Sequence, residues 1–129
     1  QTAEWNAEKA QQIVQSVIDS GQAFNVIYAE NDDMAKGAVA ALDKANISHG
    51  VGKDVIVMGF DCNKWALEEL LNQNWNYDGQ CNPYQASYIE DVIKKLESGE
   101  KIDEKTIIMD EKGFDATTIT QDDVDQFGI

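Results

Sequence analysis

The sequence predicts an α/β fold built on a parallel sheet. Three observations support this prediction. Short apolar runs alternate with amphipathic helical patterns, and hairpin signals do not occur between the runs. A third is that two of these runs end in a polar step before a helix, at residues 30–33 and 61–63. We therefore expect a three-layer fold, a parallel sheet flanked by helices, in a chain of 129 residues, which is the size of one domain.

The predicted elements of the first half follow the helix and strand periodicities. Residues 6–20 carry one apolar helical face, with Asn6 placed to cap it. Residues 23–29 form a short apolar run, and we expect a strand that is covered on both faces. An alanine-rich helical pattern at 33–46 precedes the strongest strand pattern, at 54–60. A helix bearing Trp65, Ala66, Leu67, Leu70 and Leu71 comes next.

A weaker strand pattern at 76–80 leads into a well-marked helix start. Asn82 is placed as the N-cap and Pro83 as the first helical residue, and the helix is expected to stop at Gly99.

The remaining residues give a polar linker at 100–105, a strand at 106–109, a β-like start at Gly113 and a cap at Thr120 before a short final turn. About three good strands is a thin sheet for this architecture. Part of the sheet is therefore expected to be missing from this sequence.

Composition excludes several classes of partner. The chain has 24 acidic residues and 10 basic ones, all lysine, and its net charge of -14 argues against binding nucleic acid or an anionic membrane. No stretch has the length of a membrane span, and the amino-terminus lacks a signal pattern. Two cysteines are too few for a disulfide scaffold and too isolated for a zinc site.

Polar residues at the strand ends are the candidates for binding. Asn31 is placed either to cap a helix or to contact a ligand, and Asp61 either to cap or to accept from a ligand, bind a metal or act as a nucleophile. The only histidine, His49, lies in a glycine-bearing loop without a nucleophile signature nearby. Nucleotide and calcium-loop motifs are absent, so we expect no cofactor, no metal and no enzymatic activity. A hydrolase or phosphatase using Asp61 is the catalytic alternative.

Trp5 and the two cysteines leave alternatives open. Trp5 precedes the first helix and is either a staple packed against it or a flat platform for the apolar face of a ring. Cys62 and Cys81 follow consecutive strand ends, where neighbouring strands would place them close enough for a disulfide in an oxidising compartment. Two free thiols are the alternative.

Three ordered motifs resemble a known family. Residues 30–38 (Glu-Asn-Asp-Asp-Met-Ala-Lys-Gly-Ala), 57–61 (Val-Met-Gly-Phe-Asp) and 80–83 (Gln-Cys-Asn-Pro) resemble the carboxy-terminal part of type I periplasmic sugar-binding proteins. These proteins are the substrate-binding subunits of ABC importers for ribose, galactose and galactofuranose. The resemblance implies non-catalytic binding of a monosaccharide between two α/β lobes that close like a clamp.

The resemblance also implies roles for particular residues. Trp5 matches the aromatic that stacks on the sugar ring, Asn31 the amide that bonds hydroxyls, and Asp61 the carboxylate that accepts from them. A fourth contact falls at Gln80 or Cys81, and alignment on the proline motif favours Cys81, which departs from the usual amide. Gln80 or Asn82 would then make this fourth contact in place of Cys81.

The same resemblance implies that the chain is a carboxy-terminal fragment. Residues 1–82 would belong to the carboxy-terminal lobe, residues 83–105 to a helix and crossover of the amino-terminal lobe, and residues 106–129 to a terminal strand and tail that return across the hinge. Expected partners are a monosaccharide, the importer's membrane subunits and the missing lobe, in an extracytoplasmic location. The uncovered helix face at Ile89, Val92, Ile93 and Leu96 predicts self-association. The alternative function is the sugar-sensing effector domain of a LacI-like transcription repressor.

Overall fold

A computed structural model of the chain describes residues 1–103 and 105–129. The predicted linker at 100–105 contains Glu104, which lies outside the described residues. The elements in chain order are α1 (Ala7–Asp19), β1 (Val26–Tyr28), α2 (Asp32–Lys44), β2 (Ile56–Asp61), α3 (Lys64–Leu71), β3 (Tyr77–Gln80), α4 (Ala86–Glu97), β4 (Gly113–Asp115) and α5 (Gln121–Phe127).

The four strands form one sheet in the order β1-β2-β3-β4. β1 pairs with β2 and β2 with β3 in parallel, so the predicted α/β class with a parallel sheet is confirmed. β4 runs antiparallel to β3, which the sequence did not predict. Gly113 fits beside β3 because it has no side chain: a Cβ there would lie 2.6 Å from Cζ of Tyr77.

Local signals start three of the helices as predicted. Asn6 Oδ1 accepts the Lys9 N–H at 2.9 Å, and Asn31 Oδ1 accepts the Met34 N–H at the same distance. Thr120 caps α5 through a capping box with Asp123. These side chains satisfy N–H groups that the first turn of a helix leaves without a backbone partner.

The hydrophobic core lies between the sheet and its helices. β1, β2 and β3 lie side by side in chain order, and right-handed crossovers in one direction place α2 and α3 on the same face of the sheet. The largest fully buried apolar side chains of this core are Trp75, Leu42, Leu67, Leu70, Val55, Val57 and Val124.

The opposite face of the sheet is open around β1. Val26 is 46% exposed and Tyr28 60% exposed, and their neighbour on β2, Ile56, is 42% exposed. The expectation that the 23–29 strand is covered on both faces is therefore wrong. Its apolar side chains alternate between a face packed under helices and a face that the described part of the chain leaves open.

Two predictions in the carboxy-terminal third are also wrong. α4 begins at Ala86 with Gln85 as its N-cap, because Asn82 Oδ1 accepts the Tyr84 N–H at 2.8 Å and closes a local turn instead of capping the helix. Residues 106–109 do not form a strand. The edge of β3 is taken by β4, where Phe114 is buried, whereas Ile108 is 82% exposed.

α4 stands apart from the core. It buries none of its residues, and its apolar side chains Ile89, Ile93 and Leu96 are 55%, 48% and 59% exposed. Within the described ranges, no helix is both long enough and apolar enough to cross a bilayer.

Candidate functional site

The predicted binding residues follow the carboxyl ends of three adjacent strands. Asn31 follows β1, Asp61 is the last residue of β2, and Gln80 is the last residue of β3. Asp61 and Gln80 are direct partners in the parallel register, so their Cα atoms lie side by side at this edge. Carboxyl edges of parallel sheets are where α/β proteins bind ligands, because strand ends and helix amino-termini converge there.

Asp61 is presented by an unusual backbone turn. Its φ is +131° and that of Cys62 is +64°, a region that residues with a side chain seldom adopt. The turn is held by Asp32, whose Oδ2 accepts both the backbone N–H of Asn63 at 2.9 Å and its side-chain Nδ2–H at 3.1 Å. The start of α2 therefore fixes the position of Asp61.

The end of β2, where Asp61 stands, lies next to the amino-terminus of α2, because Asp32 in the first turn of α2 accepts from Asn63. Partial burial raises the pKa of Asp61, the negative charge of Asp33 raises it further, and the Asp32 backbone has a smaller, opposing effect. The hydrogen bonds from Asn63 to Asp32 bring the end of β2 close to Asn31, which directly precedes Asp32. Asp61 and Asn31 thus form an acceptor and an amide at one point of the edge.

Asn31 serves as a helix cap through its oxygen. Because the cap at Met34 uses only Oδ1, the two N–H donors of the amide remain to bind a ligand. Capping a helix and contacting a ligand are therefore compatible roles for Asn31, because one side chain both caps α2 and presents donors at the sheet edge.

Trp5 lies exposed at the start of α1. Its side chain is 68% exposed, and the φ of +58° places it in a tight turn directly before the cap residue Asn6. Of the two alternatives for Trp5, this exposure favours the platform over the packed staple.

An open groove of about 640 Å³ runs from Trp5 along the edge of β1 that does not pair with β2, between α1 and α2. Glu30 lies on the same groove as Trp5, although the sequence reasoning did not single it out as a site residue. The apolar part of the groove is lined by Ala10, Ile13, Val14, Ile27, Ala29, Met34 and Ala38.

The fourth predicted contact has three candidates with different surroundings. Gln80 Oε1 accepts the Lys112 N–H at 3.2 Å, and the Gln80 N–H donates to the Lys112 carbonyl at 2.8 Å. Asn82 Oδ1 is bonded to Tyr84, while Cys81 is exposed. Gln80 is therefore tied to the chain that enters β4, and Cys81 faces solvent.

Cys62 and Cys81 are not joined to each other in the structure. Cys62 is fully buried and Cys81 is exposed. Burial raises the pKa of the Cys62 thiol far above its usual range, and the neighbouring carboxylates of Asp78 and Asp32 raise it further. Cys62 is consequently an unreactive thiol behind the Asp61 turn.

Two buried acids behind this edge were missed by the sequence reasoning. Asp32 and Asp78 are both fully buried. Asp78 lies within a strand between Tyr77 and Gly79, and a charged residue at an inward-facing strand position was the signal available for it. Among the described residues, no group of three or more His, Cys, Asp or Glu side chains is arranged to hold a metal ion.

Comparison with known proteins adds independent information. Residues 1–101 match the family described as the periplasmic binding protein domain. The fructose import binding protein of Bifidobacterium longum is 30% identical over 92% of this chain and 35% of its own length. The ribose import binding protein of Bacillus subtilis is 31% identical over 57% of this chain and 22% of its own length.

A solved structure has the same fold as this chain. The binding protein component of the arabinose ABC transporter from Shewanella, bound to α- and β-L-arabinofuranose, superposes with a TM-score of 0.80 at 25% identity, covering 92% of this chain and 39% of that one. The chain thus spans little more than a third of the length of such relatives. Since the family match covers most of the chain, this protein belongs to the periplasmic binding protein family, in the type I sugar-binding group that its motifs resemble.

Proposed function

We propose that the chain forms one wall of a monosaccharide site in the solute-binding component of an ABC importer, and that it acts by binding without catalysis. The observation that carries the proposal is that the end of β2 at Asp61 is tied to the start of α2, next to Asn31, at the carboxyl edge of the sheet: Asn63 donates two hydrogen bonds to Asp32. Relatives named as fructose and ribose import binding proteins support the class of ligand.

The chemistry of these groups suits a sugar. A monosaccharide offers hydroxyls, which both donate and accept hydrogen bonds, and an apolar ring face. Asp61 accepts from hydroxyls, the Asn31 amide donates to them, and the exposed Trp5 indole stacks on the ring face. Buried hydrogen bonds of this kind discriminate strongly, because an unmatched polar group is costly.

The wider organisation follows from the same proposal. Residues 1–82 contribute to one lobe of a two-lobed clamp, residues 83–105 contribute a helix and crossover to the other lobe, and residues 106–129 return across the hinge. The isolated α4 supports this division, since its apolar stripe finds no cover in the described part of the chain. The proposed partners are the second lobe and the importer's membrane subunits, in an extracytoplasmic location.

The proposal is tested by Asp61→Ala. Sugar binding is measured by isothermal titration calorimetry, backed by amide NMR for millimolar affinities, over a panel of fructose, ribose, arabinose and galactose. We expect the variant to lose binding and to keep its circular dichroism spectrum, because the side chain is only partly buried. Asp91→Ala is the matched control, since Asp91 is an exposed aspartate on α4. Unchanged affinity in Asp61→Ala contradicts the assignment.

A further inference from the structure

Two buried carboxyl groups meet on the helix-covered face of the sheet. Asp78 on β3 pairs in register with Gly59 on β2. A Cβ built on Gly59 would lie 2.5 Å from Asp32 Oδ1 and 2.9 Å from Cζ3 of Trp75. Asp32 Oδ1 therefore occupies the space that the glycine leaves empty, next to the Asp78 side chain. Neither aspartate has any solvent exposure.

The hydrogen bonds of this pair are incomplete if both groups are carboxylates. Asp32 Oδ2 accepts two N–H groups of Asn63, whereas Asp32 Oδ1 and both carboxyl oxygens of Asp78 have no hydrogen-bond partner among the described groups. Two carboxylates are acceptors only, so they repel each other and cannot bond. A single proton on Asp78 converts one acceptor into a donor, so that one hydrogen bond to Asp32 Oδ1 gives each carboxyl group a partner for one of these oxygens.

We propose that Asp78 is held as a carboxylic acid that donates a hydrogen bond to Asp32, and that it thereby positions the turn that presents Asp61. The second half of this inference rests on the proposed function of Asp61, whereas the first half does not. Asp78 is a positioning residue: it acts through Asp32, which binds Asn63, which in turn fixes the backbone of the Asp61 turn.

The electrostatic surroundings agree with this assignment of the proton. Burial raises the pKa of Asp78, and the negative charge of Asp32 raises it further. The remaining ionisable groups that face the pair are Asp61 and Cys62, and both are acids. The Cys62 backbone N–H favours the charged form of Asp78, but it only partly offsets the effect of burial. No cation therefore balances a second negative charge among these described neighbours.

The proton is tested directly by infrared spectroscopy of the whole chain at pH 7. A protonated carboxyl group absorbs in a carbonyl region separate from that of carboxylates. We expect one such band in the wild-type protein and its loss in Asp78→Asn, while the control Asp91→Asn keeps it. Absence of the band in the wild-type chain overturns the inference, whatever the chain does with sugars.

Positioning is tested by two variants with opposite hydrogen-bonding capacity. Asp78→Asn keeps a donor for Asp32, and we expect sugar affinity within about twofold of wild type. Asp78→Val removes the donor, and we expect at least about tenfold weaker binding and shifted amide NMR signals at Asp61, Cys62 and Asn63. Unchanged signals at those residues in a folded Asp78→Val overturn the positioning role. If Asp78→Val does not fold, a tenfold loss of affinity in the folded Asp78→Asn overturns it instead.

Discussion

We predict that the buried acid pair makes the stability of this chain fall as pH rises through neutrality. Burial and the neighbouring Asp32 raise the pKa of Asp78 from 3.8 to about 9. Between these two values the folded protein holds a proton that the unfolded chain has released, so raising the pH favours unfolding. Burial also raises the pKa of Asp32, but Asp32 Oδ2 accepts two N–H groups of Asn63, which stabilise its charged form, so Asp78 is the member of the pair that holds the proton.

The magnitude follows from proton linkage. One proton of difference changes the free energy of unfolding by about 1.4 kcal/mol per pH unit, so Asp78 contributes a loss of about 3 kcal/mol between pH 6 and pH 8. Asp78→Asn removes this contribution, since an amide does not titrate in that range. We expect the stability difference between Asp78→Asn and wild type to shift in favour of the variant by about 3 kcal/mol over the two pH units.

Urea unfolding at pH 6, 7 and 8 measures this difference. Tryptophan fluorescence reports loss of the core, because Trp75, one of three tryptophans in the chain, is 2% exposed and lies beside the pair. Comparing Asp78→Asn with wild type cancels the groups that titrate independently of Asp78, and Asp91→Asn controls for removal of an acidic side chain. A stability difference that stays constant within about 0.5 kcal/mol from pH 6 to pH 8 refutes the assignment of the proton to Asp78.

Three further predictions concern the platform, the space for the pair and the exposed helix. Trp5→Ala should weaken sugar binding about tenfold through loss of stacking, and it should change stability by less than about 0.5 kcal/mol because the side chain is 68% exposed. Calorimetry measures the affinity and urea unfolding the stability, and unchanged affinity contradicts the platform role. Gly59→Ala should cost about 3 kcal/mol or more, because its Cβ would meet Asp32 and Trp75; Gly52→Ala, with φ of +70° and open space around it, is the control and should cost only about 1 kcal/mol. The exposed stripe of α4 should make the chain self-associate, and Ile93→Lys should reverse this; a monomeric mass for the wild-type chain in light scattering is the contrary result.

Sequence reasoning succeeded where local signals decide the structure. The caps at Asn6, Asn31 and Thr120 depend on residues within the same turn, and the structure forms all three. The β2 run is strongly apolar and pairs on both sides, so its pattern alone identified it.

Prediction from the sequence failed where a local structure depends on a partner that is distant in the chain. Residues 106–109 have a strand-like composition, but a strand forms only where an edge is available, and β4 takes the edge of β3. The exposed face of β1 likewise depends on which elements cover it, which the apolar run 23–29 does not reveal. The intrinsic propensities of a short stretch of residues reveal neither which strand edge is available nor which face of a strand is covered.

The candidate site shows the same division. Asn31 and Asp61 were predictable because strand ends followed by helix caps mark the ligand edge of a parallel sheet. Asp78 was not, because its significance arises only when the register places it opposite Gly59 and beside Asp32. The roles of Trp5, Asn31, Asp61, Gln80 and Cys81 in binding remain predictions.

Amide and indole NMR of the wild-type chain during titration with the monosaccharide panel tests the central claim most directly. We predict saturable shifts with at least one sugar that cluster at the Trp5 indole, at Asn31 and at the turn from Asp61 to Asn63, with α4 unaffected. Saturable shifts that lie elsewhere, or none up to high millimolar concentrations of every sugar, would contradict a sugar-binding wall at this sheet edge.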